Sequence, residues 1–511
     1  MFFKRIMAFV CSVVLLLSVA GCGVKKTNND TVGNSAYSKH LKFTINVHNA
    51  EMKTNAAYQE LCEKFNVEFE FIPTMMSDWN EKVRIWMATG DMPDILYANI
   101  QNYNFSEYVT WAESGMLKEF PDMSKYPNLY KYKKALESDP YFQVDGKTYA
   151  WVAPRIADKT ENLSPYGFMY RKDWAEKLGM CKDEYTWEEF LALGKAFVEK
   201  DPGGNGAGQT IGIAGDATPF PHFAGLMQMS PYWDQYYLRD GKYVWGMDQP
   251  ETLEGIKMLK RMYDEGILWK DQVMAKGKDG VNRFQAGQVG IVFDTWSPKN
   301  ISAVRTAMKE SFPKLDVDKD VVPMKVLAPN GKPWGQRTTD FWTISCLNPA
   351  LSDEEVDRIL AIYDYLISDE VLIDQMYGLE GKDFTRDENG KAVLPDDFSE
   401  KRNHLYYVTS TYSDSYFMSD QYSQADKDAS MEFINMLKRP DAQVREYDYD
   451  LYFFTGEKKN KYGLFYEEGK TKILQLIMSG GDIEKEWEKW KASVRDDVNL
   501  VLDELNKNLI K

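Results

Sequence analysis

Alternation opens the ordered part of the chain. Phe43, Ile45 and Val47 recur at period two, Tyr58, Leu61, Cys62 and Phe65 at helical spacing, Val67, Phe69 and Phe71 at period two again, and Trp79, Val83, Trp86 and Met87 on a second helical face. Period two lines one face of a strand, and spacings of three and four line one face of a helix. Gly90 supplies a helix stop before Ile95, Leu96 and Tyr97 begin a third strand. This β-α-β-α-β order predicts a mainly parallel sheet with helices on both faces, and in such sheets ligands sit beyond the carboxyl ends of the strands. Tyr97, Asn99, Gln101 and Asn102 lie at that edge.

The alternation of strands and helices then repeats. Thr186 and Glu189 form a capping-box pattern before Phe190, Leu193 and Phe197, and Ile256, Leu259 and Met262 run to a stop at Gly266. Ser352 and Glu355 form a second box ahead of Val356, Ile359, Leu360 and Tyr363. A capping box satisfies two otherwise orphaned backbone donors at a helix start. Near the end, Ile483, Trp487, Trp490, Val494, Val498, Val501 and Leu505 make one apolar stripe, the mark of a helix packed on a lobe. With 511 residues the chain is long enough for two or three cores. Two α/β lobes fit this better than one large sheet.

The first residues carry an address. Lys4 and Arg5 precede an apolar run from Ile6 to Leu17, which closes in Ser18, Val19, Ala20 and Gly21 before Cys22. A membrane span needs about 20 apolar residues, and this run is too short. It resembles a lipoprotein signal peptide, which implies that residues 1–21 are removed and that Cys22 is lipidated, leaving the protein tethered to the outer face of the cell membrane. Residues 22–39 are rich in Asn, Thr, Lys and Ser without hydrophobic period, the composition of a flexible tether, so folded structure should begin near His40.

Removing residues 1–21 deletes Lys4 and Arg5 and no acid, which takes the net charge from −16 to −18. A surface that acidic excludes nucleic acid as a partner and does not gather polyanions unless basic residues are concentrated in a cleft. After Cys22 only Cys62, Cys181 and Cys346 remain, an odd and scattered set that makes neither a disulfide framework nor a zinc site. They read as buried thiols.

A run of short motifs then accumulates in order: ATGDMPD at 88–94, WAESG at 111–115, DGKTY at 145–149, YRKDW at 170–174, KLG at 177–179 and YTWEEF at 185–190. It continues with DGK at 240–242, YDEG at 263–266, FQAG at 284–287, Ile344 and Ser345, YGLEG at 377–381, and GGD at 480–482 before Trp487. Each is weak alone, but their order resembles the extracellular solute-binding proteins of ABC importers, of the maltose-binding type and its long lipoprotein branch. The resemblance implies the periplasmic-binding-protein-like, type II fold: two doubly wound α/β lobes joined by a hinge. Crossings are expected near residues 168–171, 341–345 and 377–384. That division gives an N-terminal lobe of residues 40–168 plus 343–382 and a C-terminal lobe of residues 169–342 plus 383–511. It also implies a monomer that closes on an oligosaccharide and presents it to ABC permease subunits in the membrane.

The chain is 14% aromatic, with 14 Trp and 31 Tyr, and aromatic faces can lie against the C–H side of a sugar ring. Most aromatics in a chain this size are core, Trp151 and Trp187 among them. The resemblance selects the candidates. Trp296, just after the apolar run at 289–293, falls where relatives stack a sugar on Trp, and Tyr232 and Trp233 fall before a segment where relatives supply an aromatic. Arg155 stands where relatives place a carboxylate, a departure that points either to an acidic sugar or to an Arg paired with a nearby Asp. Tyr166, Arg337, Asp340 and Trp342 flank the expected crossings.

The segment DPGGNGAGQT at 201–210 resembles a calcium loop, with Asp201, Asn205, Gly206 and Gln209 in the expected slots. Gly203 lacks a side-chain oxygen and Gln209 a charge, while calcium takes about six to eight oxygens. A metal-free turn is the preferred reading and a calcium site the second, with no other cofactor expected. The same segment mimics a phosphate-binding loop but lacks its lysine. The rival function is a secreted glycosidase or lyase, which needs two facing carboxylates among the chain's 78 acids. No HExxH or GxSxG occurs, and His40, His48, His222 and His404 are scattered. A surface ligand sensor using the same cleft is the third reading.

Overall fold

The computed structural model describes residues 36–510 except 49–52, 76–77, 100–103, 156–161, 216–228, 276–277, 372–376, 389, 391, 396, 399–400, 402–404, 411–421 and 463–464. Cys22, the signal segment, Gln101, Asn102, His222 and His404 lie outside the described residues. The strands that carry the fold are β1 (Leu41–Val47), β2 (Val67–Pro73), β3 (Ile95–Ala98), β4 (Ala150–Pro154), β5 (Tyr166–Arg171), β6 (Ile211–Gly215), β7 (Val289–Thr295), β8 (Val321–Met324), β9 (Trp334–Gln336), β10 (Phe341–Leu347) and β11 (Gln443–Arg445). One sheet has the order β2-β1-β3-β10-β4, the other β8-β5-β7-β6, and β9 pairs with β11 beside them.

Strand direction follows from the route of the chain. β1 is parallel to β2 and β3, and β7 is parallel to β6, whereas β10 and β5 run against their neighbours. A strand entering its sheet from the other lobe starts at the edge where the parallel strands end, so it must run backwards. Tyr166 accordingly lies opposite Thr295, the last residue of β7, and Phe341 lies opposite Pro154, the last residue of β4. The two entry points and the carboxyl ends of the parallel strands thus share one edge, the junction between the lobes.

Eight helices matter here: α1 (Ala56–Phe65), α2 (Trp79–Thr89), α3 (Trp187–Lys200), α4 (Pro250–Asp264), α5 (Asp353–Leu366), α6 (Gln424–Leu437), α7 (Tyr449–Phe453) and α8 (Ile483–Asn508). Both expected capping boxes form, Thr186 with Glu189 on α3 and Ser352 with Glu355 on α5. The first core gathers Phe43, Leu61, Val83, Leu96, Trp151, Ile344 and Ile359. The second sheet is covered on both faces: Phe168 and Tyr170 point into a core shared with Trp187 and Trp487 of α8, while Met169 between them points into another with Trp296 and Phe433.

Two features differ from the sequence reading. Residues 377–384 do not carry the third crossing: the Asp383 carboxylate accepts hydrogen bonds from the Ala56 and Ala57 N–H groups at 2.7 and 3.1 Å, pinning this segment to the first lobe at the positive end of α1. Leu405 and Val408 also belong to the first core, so the change of lobe comes after Val408, before α6 joins the second. Helix α7 then touches both lobes. Leu451 packs in the second core and Phe453 in the first, because positions two apart on a helix point about 200° away from each other. Phe453 sits among Phe105, Phe142 and Phe341, with ring centroids 4.7 to 5.9 Å away.

Candidate functional site

The first-lobe wall of the junction is an aromatic stack at the carboxyl ends of β1 and β3. The buried Trp79 lies 4.8 Å from Tyr97 and 3.9 Å from His48, centroid to centroid, and donates its indole N–H to the Tyr97 carbonyl at 2.9 Å. Trp342 meets Trp79 edge-on at 6.2 Å and remains half-exposed. A bulge sets its position: β10 pairs Phe341 with Pro154 and Thr343 with Ala153, leaving Trp342 as the extra residue. Bulges re-aim side chains in this way. His48 faces the Thr74 carbonyl through Nδ1 at 3.0 Å, and burial holds its pKa below the usual 6.5. The ring is therefore neutral at pH 7, with the proton on Nδ1. Among the described residues its Nε2 is buried without a hydrogen-bond partner.

The floor is built where the chain crosses. Arg155 is fixed by its main-chain N–H to the Asp340 carbonyl at 2.7 Å and by Nε to the Phe341 carbonyl at 3.2 Å. Burial is the largest influence on its guanidinium and pushes its pKa down, while Tyr447, Tyr166, Tyr449 and Asp340 lie within electrostatic reach and push it up. Tyr447 is 43% exposed, yet desolvation raises its pKa. Tyr447 stacks on Tyr449 at 6.4 Å, and Tyr166 stacks on Phe293 at 6.1 Å.

The second-lobe wall is a network of paired charges. Arg337 contacts Glu446 at 2.8 Å and Arg445 contacts Asp234 at 3.0 Å. The Arg445 guanidinium also lies 5.6 Å from the ring centre of Tyr232, which stacks on Tyr237 at 4.7 Å and accepts the Glu446 N–H on its hydroxyl at 3.3 Å. Asp340 accepts from the Tyr449 hydroxyl at 2.9 Å and from the Ser138 N–H at 3.2 Å.

The structure thus brings Arg155, Tyr166, Tyr232, Arg337, Asp340 and Trp342 to one junction. Trp296 and Trp233 require correction. Trp296 has no exposed surface, donates its indole N–H to the Gly167 carbonyl at 2.9 Å and packs with Phe433 of α6, so no face is left for a sugar. Trp233 is 1% exposed in the second core. Tyr97 and Asn99 are at the right edge but buried, Tyr97 as backing for Trp79. Sequence reasoning passed over Trp79, His48, Tyr447 and Tyr449. A cavity of about 330 Å³ lined by Asn55, Tyr377, Asp383, Phe384, Pro395 and Phe398 shares none of these residues and sits beside the start of α1.

Comparison with known proteins identifies the architecture. The profile of the bacterial extracellular solute-binding protein family matches residues 49–371. The chain belongs to that family. Lipoprotein LipO of Bacillus subtilis strain 168 is 24% identical over 79% of this solute-binding protein and 80% of its own length. The polygalacturonan/rhamnogalacturonan-binding protein YtcQ of the same strain is 24% identical over 74% of each chain. The Streptococcus pneumoniae substrate-binding protein FusA in complex with kestose superposes with a TM-score of 0.68 at 19% identity, over 92% of this chain and 98% of that one. The fold is therefore the two-lobed periplasmic-binding-protein fold that the motifs implied.

In this solute-binding protein the Asp201 carboxylate faces its own loop. It accepts the Asn205 N–H at 3.0 Å, the Gly206 N–H at 2.8 Å and the Thr210 hydroxyl, and these bonds lower its pKa. The Asn205 side chain donates to Thr210 and to the Gly287 carbonyl, and the Gln209 side chain is exposed. Of the thiols, Cys346 is buried and Cys62 and Cys181 are half-buried, with Cys62 pushed up to about 11 by burial.

Proposed function

We propose that this solute-binding protein is the lipid-anchored, substrate-capturing component of an ABC importer, closing its two lobes on an oligosaccharide and delivering it to a membrane permease. The carrying observation is the convergence of Trp342, Tyr166, Tyr447 and Arg155 at the edge where both lobes meet. Apolar plates with a few fixed polar groups suit a sugar, whose rings are apolar in face and polar at the rim. The names of YtcQ and FusA, which specify saccharides, support the same class. The anchor is Cys22 on the tether of residues 22–39, and the working form is a monomer.

The reading is non-catalytic. A glycosidase needs one carboxylate as acid and a second as base or nucleophile. Here Asp340, Glu446 and Asp234 are each committed to partners, Tyr449 with Ser138, Arg337 and Arg445 respectively. The Asp201 loop acts as a metal-free turn, since its carboxylate is already satisfied. The test is a thermal-shift screen of the mature protein against neutral and acidic oligosaccharides, with and without calcium, followed by product analysis. A raised melting temperature with intact sugar and no calcium dependence is the expected result. Sugar cleavage, or no shift with any saccharide, overturns the reading.

A further inference from the structure

We propose that Arg155 reads a carboxylate on the bound saccharide, so that the ligand is an oligosaccharide containing uronic acid. The inference rests on the saccharide reading and deepens it. Among the described residues, the other two arginines of the junction have acidic partners, Arg337 with Glu446 and Arg445 with Asp234. Arg155 has no carboxylate within 4 Å among the described residues, and the hydrogen bonds of its Nε and main-chain N–H leave both terminal nitrogens for another partner. The nearest acid in reach, Asp340, spends its oxygens on Tyr449 and Ser138.

A desolvated cation without a counter-ion is costly, and the cost is recovered when an anion arrives. A guanidinium presents paired donors that match a carboxylate in two-pronged geometry. Its Nε is fixed to the carbonyl of Phe341, the residue before Trp342, and Tyr166, Tyr447 and Tyr449 lie within electrostatic reach of it. The mature chain carries −18 overall, so an acidic ligand needs a local cation that no carboxylate of the protein already pairs.

The test is calorimetric titration of the mature protein with galacturonate and mannuronate oligosaccharides and with the carboxyl-reduced, neutral form of each. At least one uronate should bind about tenfold or more tightly than its reduced form, a ratio equivalent to about 1.4 kcal/mol. Arg155→Gln should bring the two forms to within about twofold of each other, and Arg155→Lys should retain part of the preference, with circular dichroism checking the fold of each variant. Reduced forms that bind as well as the acids, or a ratio that Arg155→Gln leaves unchanged, overturn the proposal. Binding of neutral sugars without any uronate overturns this inference alone. Absence of binding by every saccharide, neutral or acidic, overturns the saccharide reading itself.

Discussion

Tyr449 and Asp340 hold each other twice: the tyrosine hydroxyl donates to the Asp340 carboxylate at 2.9 Å and accepts the Asp340 N–H at 3.0 Å. Asp340 is the last residue before β10 enters the first lobe, and Tyr449 opens α7, whose Leu451 and Phe453 reach opposite cores. The pair therefore fastens a crossing to the helix that wedges the junction. Removing the hydroxyl strands a part-buried donor and acceptor, which costs about 1 to 3 kcal/mol. Tyr449→Phe should lower unfolding stability by that amount in urea denaturation. An unchanged midpoint and slope would show the pair to be incidental.

Trp296→Ala should act on stability first. Replacing a fully buried tryptophan leaves a cavity and an unpaired Gly167 carbonyl, and aromatic-to-alanine core changes cost about 3 to 5 kcal/mol. The check is thermal or chemical denaturation of the unliganded variant. Full wild-type stability with weakened sugar binding would return Trp296 to the site.

Trp342→Ala should do the reverse. Its half-exposed ring stands at a bulge and is backed by Trp79, so loss of the plate should weaken oligosaccharide binding about tenfold, in line with about 1 to 3 kcal/mol for losing an aromatic contact, with a smaller change in stability. Titration calorimetry and melting of the same sample separate the two effects. Unaltered affinity would remove Trp342 from the ligand face.

His48 sets a pH dependence. Its folded pKa is depressed below the unfolded value near 6.5, so the unfolded chain binds the proton more readily. Its contribution to stability is present above pH 6.5 and is lost as pH falls toward the folded pKa. The His48 imidazole resonance should titrate below 6.5 in the nuclear magnetic resonance spectrum, and His48→Phe should flatten that part of the stability profile. A resonance titrating at or above 6.5 would contradict the burial argument.

Much of the fold was legible because its signals are local. The period-two runs at Phe43 and Val67, the helical faces at Tyr58 and Trp79 and the two capping boxes lie within a few residues of one another in sequence, and each formed as expected. The edge bearing Trp342 and Tyr166 followed from where the chain crosses, and Arg155 from the resemblance. The remainder depends on distant partners. Trp296 after an apolar strand reads the same whether a sugar or Phe433 covers it, and only α6, more than a hundred residues later, decides. The run from Glu446 to Phe454 has no clear period because α7 serves two cores, so Tyr447 and Tyr449 gave no signal until Asp340 was placed beside them. The segment at residues 377–384 looked like a crossing by resemblance, and Leu405 and Val408 in the first core put the change of lobe later in the chain.

The most direct measurement of the central claim is small-angle scattering of the mature protein with and without the oligosaccharide that raises its melting temperature, with the saccharide recovered and analysed afterwards. The expected result is a smaller radius of gyration in the complex and a sugar returned intact. Unchanged dimensions at saturation would contradict capture by lobe closure, and a shortened sugar would contradict a binding protein altogether.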